Sequence, residues 1–289
     1  MTRKEAVNLA AARLNDAGLP DAGTDSRILF EYITGVTTNE LFLHPETEIS
    51  AEDEAKYMEA VYIRLTHVPV QHITGRQEFM GLEFAVNENV LIPRFDTEVL
   101  VEEAMRQGLS HMNILDMCTG SGCILLSLMH YSHDCTGTGV DISEEALEVA
   151  RLNSERLGIP VRLVQSDLFE RLKAEELKYD LIISNPPYIP TDVIPTLMEE
   201  VRNHEPVSAL DGSPDGLIFY RRIVSESPAF LHKGGMLMFE IGYDQADAVR
   251  ELMDKAGFED IMVVKDLSGN DRVVSGLWPG KDMTENSYV

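Results

Sequence analysis

Only three cysteines occur in the 289 residues, Cys118, Cys123 and Cys135, and tryptophan occurs once. So few thiols, and an odd number, make no disulfide framework. A reducing, cytoplasmic setting is therefore expected. No cysteine and histidine stand at zinc-ligand spacing, so no metal is expected. No apolar run nears the roughly 20 residues that cross a bilayer. The start, Met1-Thr2-Arg3-Lys4-Glu5, has no apolar core, so no secretory signal is expected there. Basic residues are also scarce: 24 Lys and Arg stand against 49 Asp and Glu, a net charge of −25. The deficit holds over Met1–Ala85 as over the rest. A basic stripe for phosphates is missing, which argues against a nucleic-acid reader. An acidic surface keeps a protein soluble, or receives a basic partner.

What is present is the balance of a globular protein, 44% apolar and 25% charged. At roughly 100–200 residues per domain, the length suggests about two domains. The first seventy or so residues read as helices. Thr2 and Glu5 form a capping box for a helix ending near Gly18. Asp25 is expected to cap a second helix through Ile33, stopped by Gly35, with a short apolar turn at Leu41-Phe42-Leu43. Ser50 is expected to cap a longer helix through Leu65, closed by Pro69. Phe79, Phe84 and Val86 around Gly81 read as a hairpin. Beyond it, strands are expected at Asn113–Met117, Thr138–Val140, Val161–Val164, Asp180–Ile183, Met236–Phe239, Ile261–Val264 and Arg272–Gly276. Helices are expected over Gly122–Tyr131 and Ser143–Leu157. Strands separated by helices imply βαβ units and a mostly parallel sheet.

Three segments carry chemistry. The loop Asp116-Met117-Cys118-Thr119-Gly120-Ser121-Gly122 follows a strand and opens a helix. Its glycines allow a tight turn and close backbone approach to a ligand. It is neither a full G-x-G-x-x-G nor a P-loop. Asp141 ends the next strand, about 20 residues on, where an acidic residue accepts from ribose hydroxyls; a helix cap is the competing role. Asp167 ends the third strand, where it reaches an adenine amino edge or caps the next helix. The third segment is Asn185-Pro186-Pro187-Tyr188, after the apolar Leu181-Ile182-Ile183. Two prolines fix φ and remove two backbone donors, leaving carbonyls free to accept. With the Asn185 carbonyl and the flat face of Tyr188, the segment suits a planar –NH2 group.

This combination resembles a class I S-adenosylmethionine-dependent methyltransferase of the amino-methylating group. More narrowly, it is similar to the HemK/PrmC family, the peptide chain release factor N5-glutamine methyltransferases. The matching stretches are Pro69–Gly75, Leu91–Glu98 (LIPRFDTE), the Asp116–Gly122 loop, Asn185–Ile189, and Glu205-Pro206 with Ala209-Leu210. Resemblance runs from about Val68 to Val274. Cys118 stands where the family usually has glycine, Phe95 where it commonly has proline, and Leu168 where some members have an aromatic residue.

The resemblance implies an α/β fold: a Rossmann-like seven-stranded sheet, last strand antiparallel, with a small N-terminal helical bundle. The expected division is a helical bundle over 1–75 for partner recognition, a hairpin linker over 76–92, a methyltransferase domain over 93–280 and a flexible tail over 281–289. S-adenosyl-L-methionine is the implied cofactor, held by Cys118, Thr119, Gly120, Ser121, Gly122, Asp141, Asp167, Leu168 and Asn185. Asn185, Pro186, Pro187 and Tyr188 are the implied acceptor site, with Asn185, Pro186 and Tyr188 catalytic. The implied partner is a class I peptide chain release factor, met by a monomer, with no DNA and no membrane. An adenine-N6 DNA methyltransferase shares the Asn-Pro-Pro-Tyr logic but needs a basic groove and base flipping. A non-catalytic cofactor-binding scaffold is the third alternative.

Overall fold

The computed structural model describes residues 1–280; the tail expected over 281–289 lies outside the described residues. Along the chain, α1 (Arg3–Asp16), α2 (Ala22–Thr34), α3 (Thr38–Leu43), α4 (Ala51–Arg64) and α5 (Val70–Thr74) precede the hairpin strands β1 (Arg76–Phe79) and β2 (Leu82–Ala85). Next come α6 (Phe95–Arg106), β3 (Asn113–Met117), α7 (Cys123–Tyr131), β4 (Thr136–Asp141), α8 (Glu144–Leu157), β5 (Arg162–Gln165) and β6 (Tyr179–Ser184). Then follow α9 (Glu199–His204), α10 (Ile218–Glu226), β7 (Leu231–Glu240), α11 (Ala246–Ala256), β8 (Glu259–Lys265) and β9 (Asp271–Leu277). The chain divides into two compact units, Met1–Arg76 with Met198–His204, and Gln77–Leu197 with Glu205 onward. Among the described residues no helix is long and apolar enough to cross a membrane.

The first unit is helical. Thr2 and Glu5 close the capping box of α1, and Ser50 Oγ accepts from Asp53 N to cap α4. Ala6, Ala10 and Leu14 recur at helical spacing on α1 and pack with Leu29 and Phe30 of α2 and Tyr57 and Val61 of α4. Each large side chain buried there contributes about 1.5–3 kcal/mol. Asp25 is not a cap. The helix starts earlier, at Ala22, and Asp25 lies buried in its first turn, accepting from Arg64 Nε at 2.7 Å. Arg64 is buried too, and its Nη2 donates to Glu200 of α9 at 3.1 Å.

The second unit holds a two-stranded sheet, β1-β2, and a seven-stranded sheet in the order β5-β4-β3-β6-β7-β9-β8. The five strands β3 to β7 run parallel, and β9 is antiparallel to both neighbours, as the resemblance implies. Successive residues of a strand face opposite sides. Thus Leu115, Ile182 and Leu237 pack with Tyr220 and Val249, while Ile114, Leu181 and Met238 pack with Leu100 and Leu125. Helices cover both faces, so the central strands are nearly all apolar. The order reverses at β3, which pairs with β4 on one side and β6 on the other. A crevice opens beyond the carboxyl ends of strands at such a switch point. The residues that follow β3 and β6 are the Cys118 loop and Asn185, so topology alone brings those two motifs together. Asn153 of α8 fixes the loop further. It is fully buried and donates to Ser121 O and Ala85 O, while its Oδ1 accepts from Ala85 N.

Candidate active site

Asp116, the fourth residue of β3, is fully buried, and its Oδ2 accepts from Thr119 Oγ1 at 2.6 Å. Burial, and then the negative charge of Asp141, push its carboxyl up to about 7. Cys118 takes a left-handed backbone, φ 63°, which explains why glycine suits this position. Burial drives its thiol well above its usual range, and the charges of Asp141 and Asp116 add to the effect, so it is no nucleophile at neutral pH. Thr119 N donates to Val140 O at 2.9 Å, which ties the loop to β4. Gly120 N donates to Asp141 Oδ2 at 2.9 Å, and Ser143 N donates to Asp141 Oδ1 at 3.0 Å. Each Asp141 oxygen keeps a further lone pair for a ligand hydroxyl. Burial raises this carboxyl above the usual carboxylate range. Ser143 Oγ, not Asp141, caps α8 by accepting from Ala146 N.

A cavity of about 410 Å³ lies against this loop. Cys118, Thr119, Gly120, Ser121, Asp141, Asp167, Leu168, Asn185 and Pro187 line it, whereas Gly122, Pro186 and Tyr188 do not. Gly122 has φ 78°, and a Cβ there would lie 3.3 Å from Ala150 Cβ, so its glycine serves the turn and the packing onto α8. Asp167 Oδ1 pairs with Arg222 Nη2 at 2.9 Å instead of capping a helix. Ile142 and Phe219 add apolar lining that the motifs did not signal. Buried Ser121 Oγ and Asp116 Oδ1 have no partner among the described residues. A half-buried carboxylate for hydroxyls, apolar walls and unpartnered polar atoms together fit S-adenosylmethionine, and the volume suits a small-molecule site.

On the other side of the cavity, Asn185 Nδ2 donates to Glu240 Oε2 at 2.9 Å and to Thr97 Oγ1 at 3.3 Å. Among the described residues no donor reaches the Pro186 carbonyl. The Tyr188 hydroxyl lies 3.5 Å from Glu240 Oε1, and the Tyr188 carbonyl accepts from Gln245 Nε2 at 3.0 Å. Gly216, at φ 70°, lets the chain pass against Tyr188; a Cβ there would meet the Tyr188 oxygen at 2.3 Å.

Residues 5–75 match the family model PrmC N-terminal domain, and residues 94–201 match Methyltransferase small domain. The release factor glutamine methyltransferase of Caulobacter vibrioides is 43% identical over 281 residues, 96% of either chain. That of Geobacter sulfurreducens is 40% identical over 95% of this chain and 96% of its own. This chain belongs to the release factor glutamine methyltransferase family. The fold is that of class I S-adenosylmethionine-dependent methyltransferases. A solved T. thermophilus 16S rRNA N2 G1207 methyltransferase, in complex with AdoMet and guanosine, shares it. That structure has a TM-score of 0.51 at 17% identity, over 70% of this chain and 49% of its own.

In this family member the motifs left three partnerships unread. Glu240 ends β7 and is 2% exposed, and burial pushes its carboxyl up to about 7. Arg94 Nη2 donates to both oxygens of buried Glu205, at 2.5 and 2.7 Å, joining two matching stretches at the cavity wall. Arg272 of β9 pairs with Asp266 at 3.0 Å and with Asp96 at 3.1 Å. A carboxylate at the end of an apolar strand was the available signal for Glu240.

Proposed function

We propose that this chain methylates the side-chain N5 of the glutamine in the Gly-Gly-Gln loop of class I peptide chain release factors. The named activity of its relatives supports that reading. The observation that carries it is the fixed Asn185 amide: with Nδ2 engaged by Glu240 and Thr97, Oδ1 is the end left for an acceptor –NH2. S-adenosylmethionine, when bound, supplies an electrophilic methyl group on a sulfonium.

The protein's share is binding and orientation. Asp141 would accept from the ribose hydroxyls, and the Cys118–Gly122 loop, Leu168 and Asp167 would hold the nucleoside. Asn185 Oδ1 and the Pro186 carbonyl accept the two N–H bonds of the substrate amide, while Pro187 and the Tyr188 ring confine its plane. An amide nitrogen is a poor nucleophile because its lone pair is shared with its carbonyl. Two acceptors on its protons favour pyramidalisation and orient the lone pair, so positioning and preorganised dipoles carry the rate. After transfer the proton leaves to water. Glu240 engages Asn185 from behind and is not a base for the substrate.

The division that goes with this reading is a partner-recognising bundle over 1–75, a hairpin link over 76–92 and a methyltransferase domain over 93–280. The protein acts as a monomer in the cytoplasm, on protein and not on DNA. Labelled methyl transfer, offered release factor and duplex DNA in parallel, tests it. Label on the factor alone is expected; label on DNA overturns the reading.

A further inference from the structure

We propose that Glu240 is a positioning residue whose negative charge selects which end of the Asn185 amide faces the acceptor. The inference deepens the reading above and rests on it for the acceptor's identity. The two ends of an asparagine amide are nearly the same size, so shape alone does not choose between flips. Here hydrogen bonding chooses. Nδ2 stands 2.9 Å from Glu240 Oε2 and 3.3 Å from Thr97 Oγ1. Thr97 Oγ1 accepts in this arrangement, and an ionised Glu240 carboxylate has no proton to donate. Both groups around Nδ2 are then acceptors. The reverse flip sets Oδ1 against a buried carboxylate and turns a donor toward the substrate –NH2.

That selection holds only while Glu240 is ionised. The groups that face or influence it are Thr97 and Asp96 of α6, Asn185 and Tyr188 after β6, Cys123 of α7 and Arg272 of β9, with the Tyr220 hydroxyl of α10 donating to its backbone carbonyl. Arg272 lowers the carboxyl's proton affinity, but its guanidinium is engaged by Asp266 and Asp96. Burial dominates and holds the group up at about 7. Below that pH a protonated Glu240 donates O–H to Asn185 Oδ1 and stabilises the unproductive flip. Turnover at saturating cofactor therefore rises with pH through about 7, with cofactor affinity following a separate course.

The test uses the whole protein and two readouts. In Glu240→Gln, the neutral amide can either accept from Asn185 Nδ2 or donate to Oδ1, so the selection is lost; turnover is expected to fall about 10–10²-fold and the rise near neutral pH to vanish. Asn185→Asp alone places two acids together and is also slow. The double variant Asn185→Asp/Glu240→Gln restores a donor behind and an acceptor in front, and should recover about ten-fold or more over Glu240→Gln. The second readout needs no acceptor. The Asn185 side-chain NH2 resonance, identified by its loss in Asn185→Asp, should titrate near pH 7 in the wild type. It should not do so in Glu240→Gln, or in Thr97→Val/Glu240→Gln if the single variant folds poorly. A wild-type NH2 resonance indifferent to pH, or a double variant no faster than Glu240→Gln, overturns the inference. A titrating resonance in a protein that methylates no release factor instead refutes the functional reading and leaves this one standing.

Discussion

Asp141→Ala is expected to weaken S-adenosylmethionine binding about 10²–10⁴-fold, the equivalent of two lost charge-assisted hydrogen bonds at roughly 1.5–3 kcal/mol each, less compensation by water. The structure adds a cost beyond the ribose. Gly120 N and Ser143 N both donate to this carboxylate, so alanine also frees two loop amides that preorganise the cavity wall. Asp141→Asn keeps one acceptor and loses the charge, and should lie between, at about 10–10²-fold. The order of the series thus separates ligand contact from loop support. Because burial raises the Asp141 carboxyl, it gains a proton at a higher pH than a free aspartate. The ionised form is the one that accepts, so affinity is full above that folded value and falls as pH drops through it. Calorimetry on the three proteins, each checked for a cooperative melt, reads the effect directly. Unchanged affinity in Asp141→Ala refutes the ribose role; asparagine binding more weakly than alanine refutes the acceptor argument.

Cys118→Gly should be tolerated, with stability within about 1 kcal/mol of wild type, because relief of a left-handed residue worth roughly 1–2 kcal/mol opposes glycine's entropy and the lost thiol packing. Cys118→Ala keeps the strained φ and should melt lower than Cys118→Gly; a thermal series with the opposite order rejects the strain argument. Asn185→Ala should cut turnover about 10²–10³-fold while cofactor affinity changes little, since its Oδ1 serves the acceptor amide. Equal losses in both would move Asn185 to the cofactor side.

The parts of the site carried by contiguous residues were legible in the sequence. The Asp116–Gly122 loop, Asp141 and Asn185–Tyr188 each announce a turn chemistry at a strand end, and β3, β4 and β6 deliver them to one crevice. The pairing of Glu240 with Asn185 was not legible, because it arises between strands. The parallel register sets Ser184 beside Phe239, so the next residues, Asn185 and Glu240, fall side by side although 55 positions apart. Asp25 reads as a cap because acidic residues favour helix starts, but Arg64 draws it into the core from 39 positions away. The apolar pattern marks strand ends short for a related reason. β7 begins at Leu231, ahead of the expected Met236, and its His232-Lys233-Gly234 stretch is exposed and carries no apolar signal. The return of Met198–His204 to the helical unit was equally hidden, since Glu200 finds Arg64 from 136 positions away.

The most direct test of the central claim is to map the methyl group. Release factor incubated with S-adenosylmethionine and the enzyme, then digested and analysed by mass spectrometry, should gain one methyl on the glutamine of its Gly-Gly-Gln loop. The gain should vanish when that glutamine is replaced, and fall steeply with Asn185→Ala enzyme. A methyl group on any other residue, or one that persists on the factor lacking the glutamine, contradicts the account.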